Sequence, residues 1–380
     1  MDAAESVGER FRADFAFDPN VVLFNTAGVA PMSMVAEAAI QRMSHHLRRG
    51  WFDLGEAFRI YEQARGSFAR LTGARPEDVA LMQTCAAAIS QVALGLALRP
   101  GDEIVTTDQE YPSNAYPWYA AAQRASALIR VVRSAPDYSL PTESVLAAIS
   151  PQTRVVAVSW VQFQTGTVLD LRAISHACRR HGAWLVVDAI QGLGVMPFDL
   201  LQLGVDAVCG GTHKWLCGPL GQGFLALAPG RAAELAPLLH GAMTYGTPED
   251  AVDPSRPPRP DARRFEPGSP PLLSAAGAAA AIERLLSLGI ENIHRAALAN
   301  SDRLITGLLT RGARLLVPVG NTLRSPIVTC IPRGNLDAIA AKLTARHVAF
   351  ARRGGGIRLS PHAFHHAGDV ERFFAILDAA

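Results

Sequence analysis

The feature that most restricts what this chain can fold into is an alternation. Seven short, strongly apolar runs are separated by amphipathic, helix-patterned stretches through the first 230 residues. The runs are 78–84 (DVALMQT), 102–108 (DEIVTTD), 127–132 (ALIRVV), 154–161 (RVVAVSWV), 183–189 (AWLVVDA), 206–211 (DAVCGG) and 221–228 (GQGFLALA). Several are continuously apolar, as strands covered on both faces must be. The stretches between them read as helices. LRAISHACRRH carries two arginines and a histidine in its last turn and is followed by Gly182, a helix C-terminus signature. Strand and helix in turn predict an α/β chain with a mostly parallel, doubly wound sheet. Ligands of such sheets sit beyond the carboxyl ends of the strands.

The pattern changes after residue 245. Residues 246–272 are rich in proline and charge and read as a long loop. An Ala-rich helix (SAAGAAAAIERLLSL), a strand (SPIVTCIP), a helix (NLDAIAAKLTARH) and HVAFARRGGGIRLSP follow, as a smaller α+β unit. The expected division is a large domain over 18–270 and a small domain from 1–17 and 271–380.

Bulk properties remove several function classes. A net charge of +2 with signs mixed along the chain offers no electrostatic footprint for nucleic acid or a membrane surface. The five cysteines form no C-x-x-C pair and read as free thiols. No run reaches the roughly 18 apolar residues of a membrane span. The N-terminus is polar and acidic, unlike a secretory signal. The expectation is a cytoplasmic protein.

Chemistry is concentrated at strand ends. Of 36 basic residues, 34 are arginine, and one of the two lysines, Lys214, lies inside the Gly-rich, apolar stretch GGTHKWLCGPLGQGF. Arginine cannot replace a lysine whose neutral amine condenses with an aldehyde, because its pKa is too high and its charge is spread over a plane. The other lysine, Lys342, is compatible with an exposed helix flank. Asp188 ends the buried run WLVVD, where a carboxylate needs a cation or strong donors. Alone it would read as a helix cap or core ion pair. Opposite a lysine-bound aldehyde, it could instead hold a pyridine nitrogen protonated. The pair therefore points to pyridoxal 5'-phosphate. The helix starting in QTCAAAISQ, directly after a strand, supplies an anion seat. Tyr111 in DQEYPSN could stack on a flat ring or plug the core. His362, His365 and His366 in SPHAFHH lack carboxylates or cysteines at ligand spacing. They read as solvated imidazoles of a turn, not as a metal site.

NTAGVAP (25–31), EYPSN (110–114), VVDAIQG (186–192), THKWLCGP (212–219) and IRLSPHAF (357–364) occur in the order of one family. Together they resemble the class V aminotransferases, pyridoxal-phosphate enzymes of fold type I, closest to the branch of isopenicillin N epimerase and the cysteine desulfurases. The resemblance implies a large domain with a mostly parallel seven-stranded sheet sandwiched by helices, plus a small α+β domain. It implies a homodimer with the active site at the subunit interface and an amino-acid substrate. Lys214 would bind the cofactor and shuttle the α-proton, and Asp188 would bond the ring nitrogen. Gln191 and Gln162 would lie near the ring's phenolic oxygen, and Tyr111 would stack on the ring. The amides of Cys85 and Ala86, with His213, would line the phosphate side, and Ser269 in FEPGS would reach the neighbouring subunit's phosphate. Arg358, with Asn25 and Gly28, would hold the substrate carboxylate. Ala86 and Gly211 stand where relatives often carry Thr and Ser or Asn, which removes side-chain donors from the seat. Cys330 lies in a strand pattern and Cys217 in a packing context, so the thiol nucleophile of a desulfurase is not expected. Transamination is the first reading, with C–S β-elimination or epimerisation as alternatives. A catalytically silent cofactor-binding protein is the reading from another class.

Overall fold

The computed structural model describes residues 3–50, 53–246, 252–253, 255–316 and 323–379. The expected loop at 246–272 therefore lies partly outside the described residues. All seven apolar runs are strands of one sheet. With β1 at Val22–Leu23, these are β2 (Val79–Met82), β3 (Glu103–Thr107), β4 (Leu128–Val132), β5 (Thr153–Ser159), β6 (Trp184–Asp188), β7 (Ala207–Gly211) and β8 (Gly223–Leu227). Their order is β2-β8-β7-β6-β5-β3-β4. Only β8 runs against the rest, pairing antiparallel with both β2 and β7. β6 and β7 are buried at every residue because helices cover both faces. Helix Leu171–His181 ends as its sequence requires, with Asp170 accepting from Ala173 N and Gly182 left-handed at φ 64°.

The small unit holds β9 (Arg314–Leu315), β10 (Val328–Ile331), β11 (Val348–Ala349), β12 (Ala351–Arg353) and β13 (Gly356–Leu359). Four of these form an antiparallel sheet of order β12-β13-β10-β9. The packing leads us to propose a division that differs from the expected one at both boundaries. β1 pairs with β11, and Val22 and Phe24 sit in the small unit's core with Val328, Ile357 and Phe373. Helix Leu272–Leu288 instead packs on helices Met34–Leu47 and Leu54–Thr72, and its Ala275, Ala278 and Ile282 join the large sheet's core. We place the second boundary, as a proposal, at Gly289, where this helix meets Ile290–Thr310 at 82°. A Pro-rich stretch reads as a linker in sequence, but the apolar face of the following helix decides where it docks.

Two further expectations are corrected. His362 and His365 are not solvated: both are buried, and only His366 is exposed. Lys342 is half-buried, and its Nζ donates to the carbonyls of Leu377 (2.9 Å) and Ala379 (2.6 Å), closing the end of the last helix. Among the described residues no single helix is long and apolar enough to cross a membrane, and no His/Cys/Asp/Glu group has metal-ligand geometry.

Candidate active site

The carboxyl ends of β3, β5, β6 and β7 converge, and each delivers a polar side chain to one space. β6 ends at Asp188, which is buried. Its Oδ1 accepts from Ile190 N at 2.9 Å and from the Cys85 thiol at 3.5 Å. Burial pushes its pKa up, with a further push from Glu110, against the backbone donor and Lys214. β7 runs into the turn holding Lys214, whose side chain is only 9% exposed. Burial pulls the amine's pKa down, opposed by Asp188 and assisted by Arg358 and Arg353. The turn is fixed on both sides. Trp215 Nε1 donates to Gln191 Oε1 (3.0 Å), and Gln191 Nε2 donates to the Ala27 carbonyl (3.1 Å). Gln191 thus ties the lysine-bearing turn, through Trp215, to the N-terminal loop at Ala27, a task the sequence does not announce.

Tyr111 caps the start of helix Pro112–Ala125 and is 42% exposed. Lys214 Nζ stands 5.5 Å from its ring centroid, and Phe163 meets the ring edge-on at 5.2 Å. Beside it, Glu110 was not singled out in sequence. Its carboxylate is buried among donors: Thr107 Oγ1 (2.8 Å), Asn114 Nδ2 (2.7 Å), Ser159 N (2.9 Å) and Oγ (2.5 Å), and Gln162 Nε2 (3.3 Å). Gln162 is fully buried, and its Oε1 has no partner. The signal for Glu110 was an acid with an amide four residues on, astride a helix start.

The anion seat is the first turn of helix Cys85–Gly95. Thr84 Oγ1 accepts from Ala87 N, leaving the Cys85 and Ala86 amides as first-turn donors not used by the cap. Gly223 presses on this turn so closely that a Cβ would lie 2.5 Å from the Thr84 carbonyl carbon. His213 is half-buried beside the lysine, and burial lowers its pKa. Ser269 is exposed and lines a 390 Å³ pocket with Ala87, Ser90 and Gln91 of the same helix. Its loop is anchored by buried Glu266, which accepts from Arg65 at 2.6 and 2.9 Å and from Leu81 N at 2.7 Å.

Arg358, on β13, is buried. It donates to the Phe163 carbonyl (2.7 Å) and, at 3.4 Å, to Asn25 Oδ1, while its Nε has no partner. Burial, with Arg353 nearby, pulls its pKa down to about 10. Gly28 closes a turn on Asn25, and a Cβ there would stand 2.7 Å from the Asn25 amide nitrogen. All five cysteines are buried, and burial raises the Cys330 thiol to about 12.

One space therefore holds a buried carboxylate, a buried amine and a buried guanidinium. Among the described residues no ion pair joins any of them. Uncompensated buried charge of this kind costs several kcal/mol per group, and pyridoxal phosphate with an amino acid would satisfy all three. A pyridinium would meet Asp188, an aldehyde Lys214, and a carboxylate Arg358. The residues fit the cofactor.

Fold and site together define a pyridoxal-phosphate enzyme of fold type I. The family model for aminotransferase class-V matches residues 21–366, and the chain belongs to that family. It is 28% identical over 361 residues to the uncharacterized aminotransferase YcbU of Bacillus subtilis (strain 168), covering 95% of each chain. It is 34% identical over 267 residues to isopenicillin N epimerase of Streptomyces clavuligerus, covering 68% of this chain and 67% of that one. The apo cysteine desulfurase of Thermococcus onnurineus NA1 superposes with a TM-score of 0.89 over 97% of both chains. At 24% identity, that likeness speaks for the fold alone.

Proposed function

We propose that the protein is an enzyme acting on an α-amino acid, with pyridoxal phosphate bound at Lys214, and that its reaction is transamination. The observation that carries this reading is that a buried amine, Lys214, shares one space with a carboxylate, Asp188, and a guanidinium, Arg358, with no ion pair among the three. The cofactor, when bound, supplies the electron sink that makes Cα–H acidic.

The chain's own residues do the rest. Arg358 and Asn25 hold the substrate carboxylate and so orient the Cα–H bond. Lys214, whose amine burial biases toward its neutral form, would take the α-proton as general base. The same amine would hand that proton back, so that one base serves both transfers. Burial raises the Asp188 pKa, and a protonated ring nitrogen held beside it would favour the carboxylate form. Tyr111 would cover the ring face.

Epimerisation is the second reading, favoured by the 34% identity to isopenicillin N epimerase. Its first step is the same. We further propose a homodimer in which Ser269 serves the partner subunit's phosphate. Val29, Met32, Tyr116, Leu220, Leu239 and Leu273 are exposed apolar side chains available to such an interface.

The test is incubation of the holoenzyme with single amino acids, with and without a 2-oxo acid, in heavy water. Mass spectrometry and chiral chromatography would follow the products. Amino-group transfer to the oxo acid supports the proposal. Inverted, deuterated amino acid without transfer selects epimerisation. No reaction with any amino acid, despite a bound cofactor, sinks both.

A further inference from the structure

The small-domain sheet presents a second arginine to the same space. β12 and β13 pair antiparallel with Ala351 opposite Arg358 and Arg353 opposite Gly356. Side chains alternate along a strand and match across a pair, so Ala351, Arg353 and Arg358 share one face. Thr329 of β10, opposite Arg358, lies on that face too. Its Oγ1 donates to the Gln164 carbonyl at 2.6 Å, fastening the sheet face to the loop that carries Gln162 and Phe163.

Both guanidiniums meet Phe163. Arg358 Nη1 donates to its carbonyl at 2.7 Å, and Arg353 Cζ stands 5.8 Å from its ring centroid. The Phe163 ring in turn touches Tyr111, which faces Lys214. The two cations therefore lie along one wall, the buried one deep beside Asn25 and the exposed one at the mouth.

Arg353 has no acidic partner among the described residues. It donates to the carbonyl of Arg352 at 2.7 Å, whereas Arg352 pairs with Asp337 at 2.7 Å. The Gly354–Gly355 turn that follows, with φ of 57° and 71°, fixes Arg353 at the tip of the hairpin. Its charge reaches Arg358 and Lys214, both of which it disfavours in their charged forms. Two guanidiniums on one wall with no acidic partner repel each other unless anions arrive with the ligand. A single α-carboxylate neutralises one of them.

We infer that the substrate is an amino acid with a second acidic group, its α-carboxylate on Arg358 and its distal anion on Arg353 across the Phe163 ring. This rests on the proposed amino-acid chemistry. Arg353 sets specificity and takes no part in the proton transfers.

The test compares holoenzyme rates, read from the cofactor's visible spectrum, for aspartate against asparagine and glutamate against glutamine. Binding of the unreactive diacid glutarate is compared with that of pentanoate by calorimetry. The acidic member of each pair is expected to be preferred. Arg353→Met should lower the acidic-to-neutral ratio of kcat/KM by about tenfold or more, as for loss of a charge-assisted bond. It should also erase the preference for glutarate, and Arg353→Glu should reverse the ratio. Neutral members preferred by the wild type, or a ratio unmoved in Arg353→Met, would overturn the inference. Should no amino acid react, the proposed reaction fails. The glutarate comparison then still decides whether the wall reads two anions.

Discussion

Lys214 and Asp188 share one buried space and yet make no ion pair within 4 Å. A buried acid and a buried amine that do not touch are each desolvated with weak compensation. Their separation is what a ring inserted between them would require. Lys214→Ala should abolish the absorbance of the covalently bound cofactor and lower turnover by roughly 10³-fold, the range for loss of a positioned acid–base group. Asp188→Asn should keep the absorbance band but lower turnover by roughly 10²-fold, as for a lost electrostatic contact to the reacting system. Spectra and single-turnover rates check both. A normal band in Lys214→Ala would remove the assignment.

Arg358 is a charge buried for function at the expense of stability. Its Nε is unpartnered and no carboxylate meets it among the described residues. Replacing a buried, unpaired cation by an apolar side chain of similar length is neutral or stabilising. Arg358→Met should therefore melt at the same temperature as the wild type or higher, while kcat/KM for amino acids falls about 10²-fold. Calorimetric melting beside kinetics separates the two. A large loss of stability would mark Arg358 as a structural residue.

Acid sensitivity should originate at His362 and His365. His362 Nδ1 accepts from Ala363 N at 2.7 Å, so the proton sits on Nε2, which donates to the Trp215 carbonyl at 2.9 Å. His365 Nδ1 accepts from His362 N at 2.9 Å, and its Nε2 donates to the Leu23 carbonyl. Protonating either Nδ1 breaks a buried bond. Burial accordingly lowers His362 to about 3 and His365 to about 4. Below the ordinary imidazole value near 6.5 the unfolded chain binds protons that the folded one refuses. Stability should then fall by about 1.4 kcal/mol per pH unit for each histidine. For His365 the loss should end near pH 4, and for His362 near pH 3. Denaturant melts between pH 7 and 4 measure the slope. His362→Asn should reduce it, and an unchanged slope would place the acid sensitivity elsewhere.

These histidines also show what a sequence can and cannot disclose. The seven strands were legible because burial on both faces leaves no choice but apolar side chains, and Asp188 and Lys214 stood out as polar exceptions to that pattern. SPHAFHH carries no such contrast. Three polar letters look solvated until the fold sets His362 beside Phe11, Trp215 and Phe364. Glu110 and Gln191 were obscure for the same reason. Their roles are hydrogen bonds to Ser159 and Trp215, 49 and 24 residues away, and spacing alone does not encode such contacts. A linker's composition says where the chain is loose, not which core the next helix joins.

The cofactor seat makes a paired prediction about two glycines twelve residues apart. Gly223 begins β8 and abuts the peptide that opens helix Cys85–Gly95. A Cβ there would stand 2.5 Å from Thr84 C and 2.9 Å from Cys85 N. Both obstacles are backbone, so Gly223→Ala must push the first turn outward, together with the Cys85 and Ala86 amides that would meet the phosphate. Gly211, at the end of β7, is different. A Cβ there meets nothing closer than Ile190 Cδ1 at 3.4 Å, with His213 Nδ1 and the Gln222 carbonyl at 3.5 Å. Gly211→Ser therefore fits and adds a donor beside the seat. Cofactor affinity, measured by fluorescence titration of the apoprotein, should weaken about tenfold or more in Gly223→Ala, as expected when small-to-large strain of about 1–3 kcal/mol falls on the seat. In Gly211→Ser it should hold or tighten. The opposite order would mean that the phosphate is not held at the start of this helix.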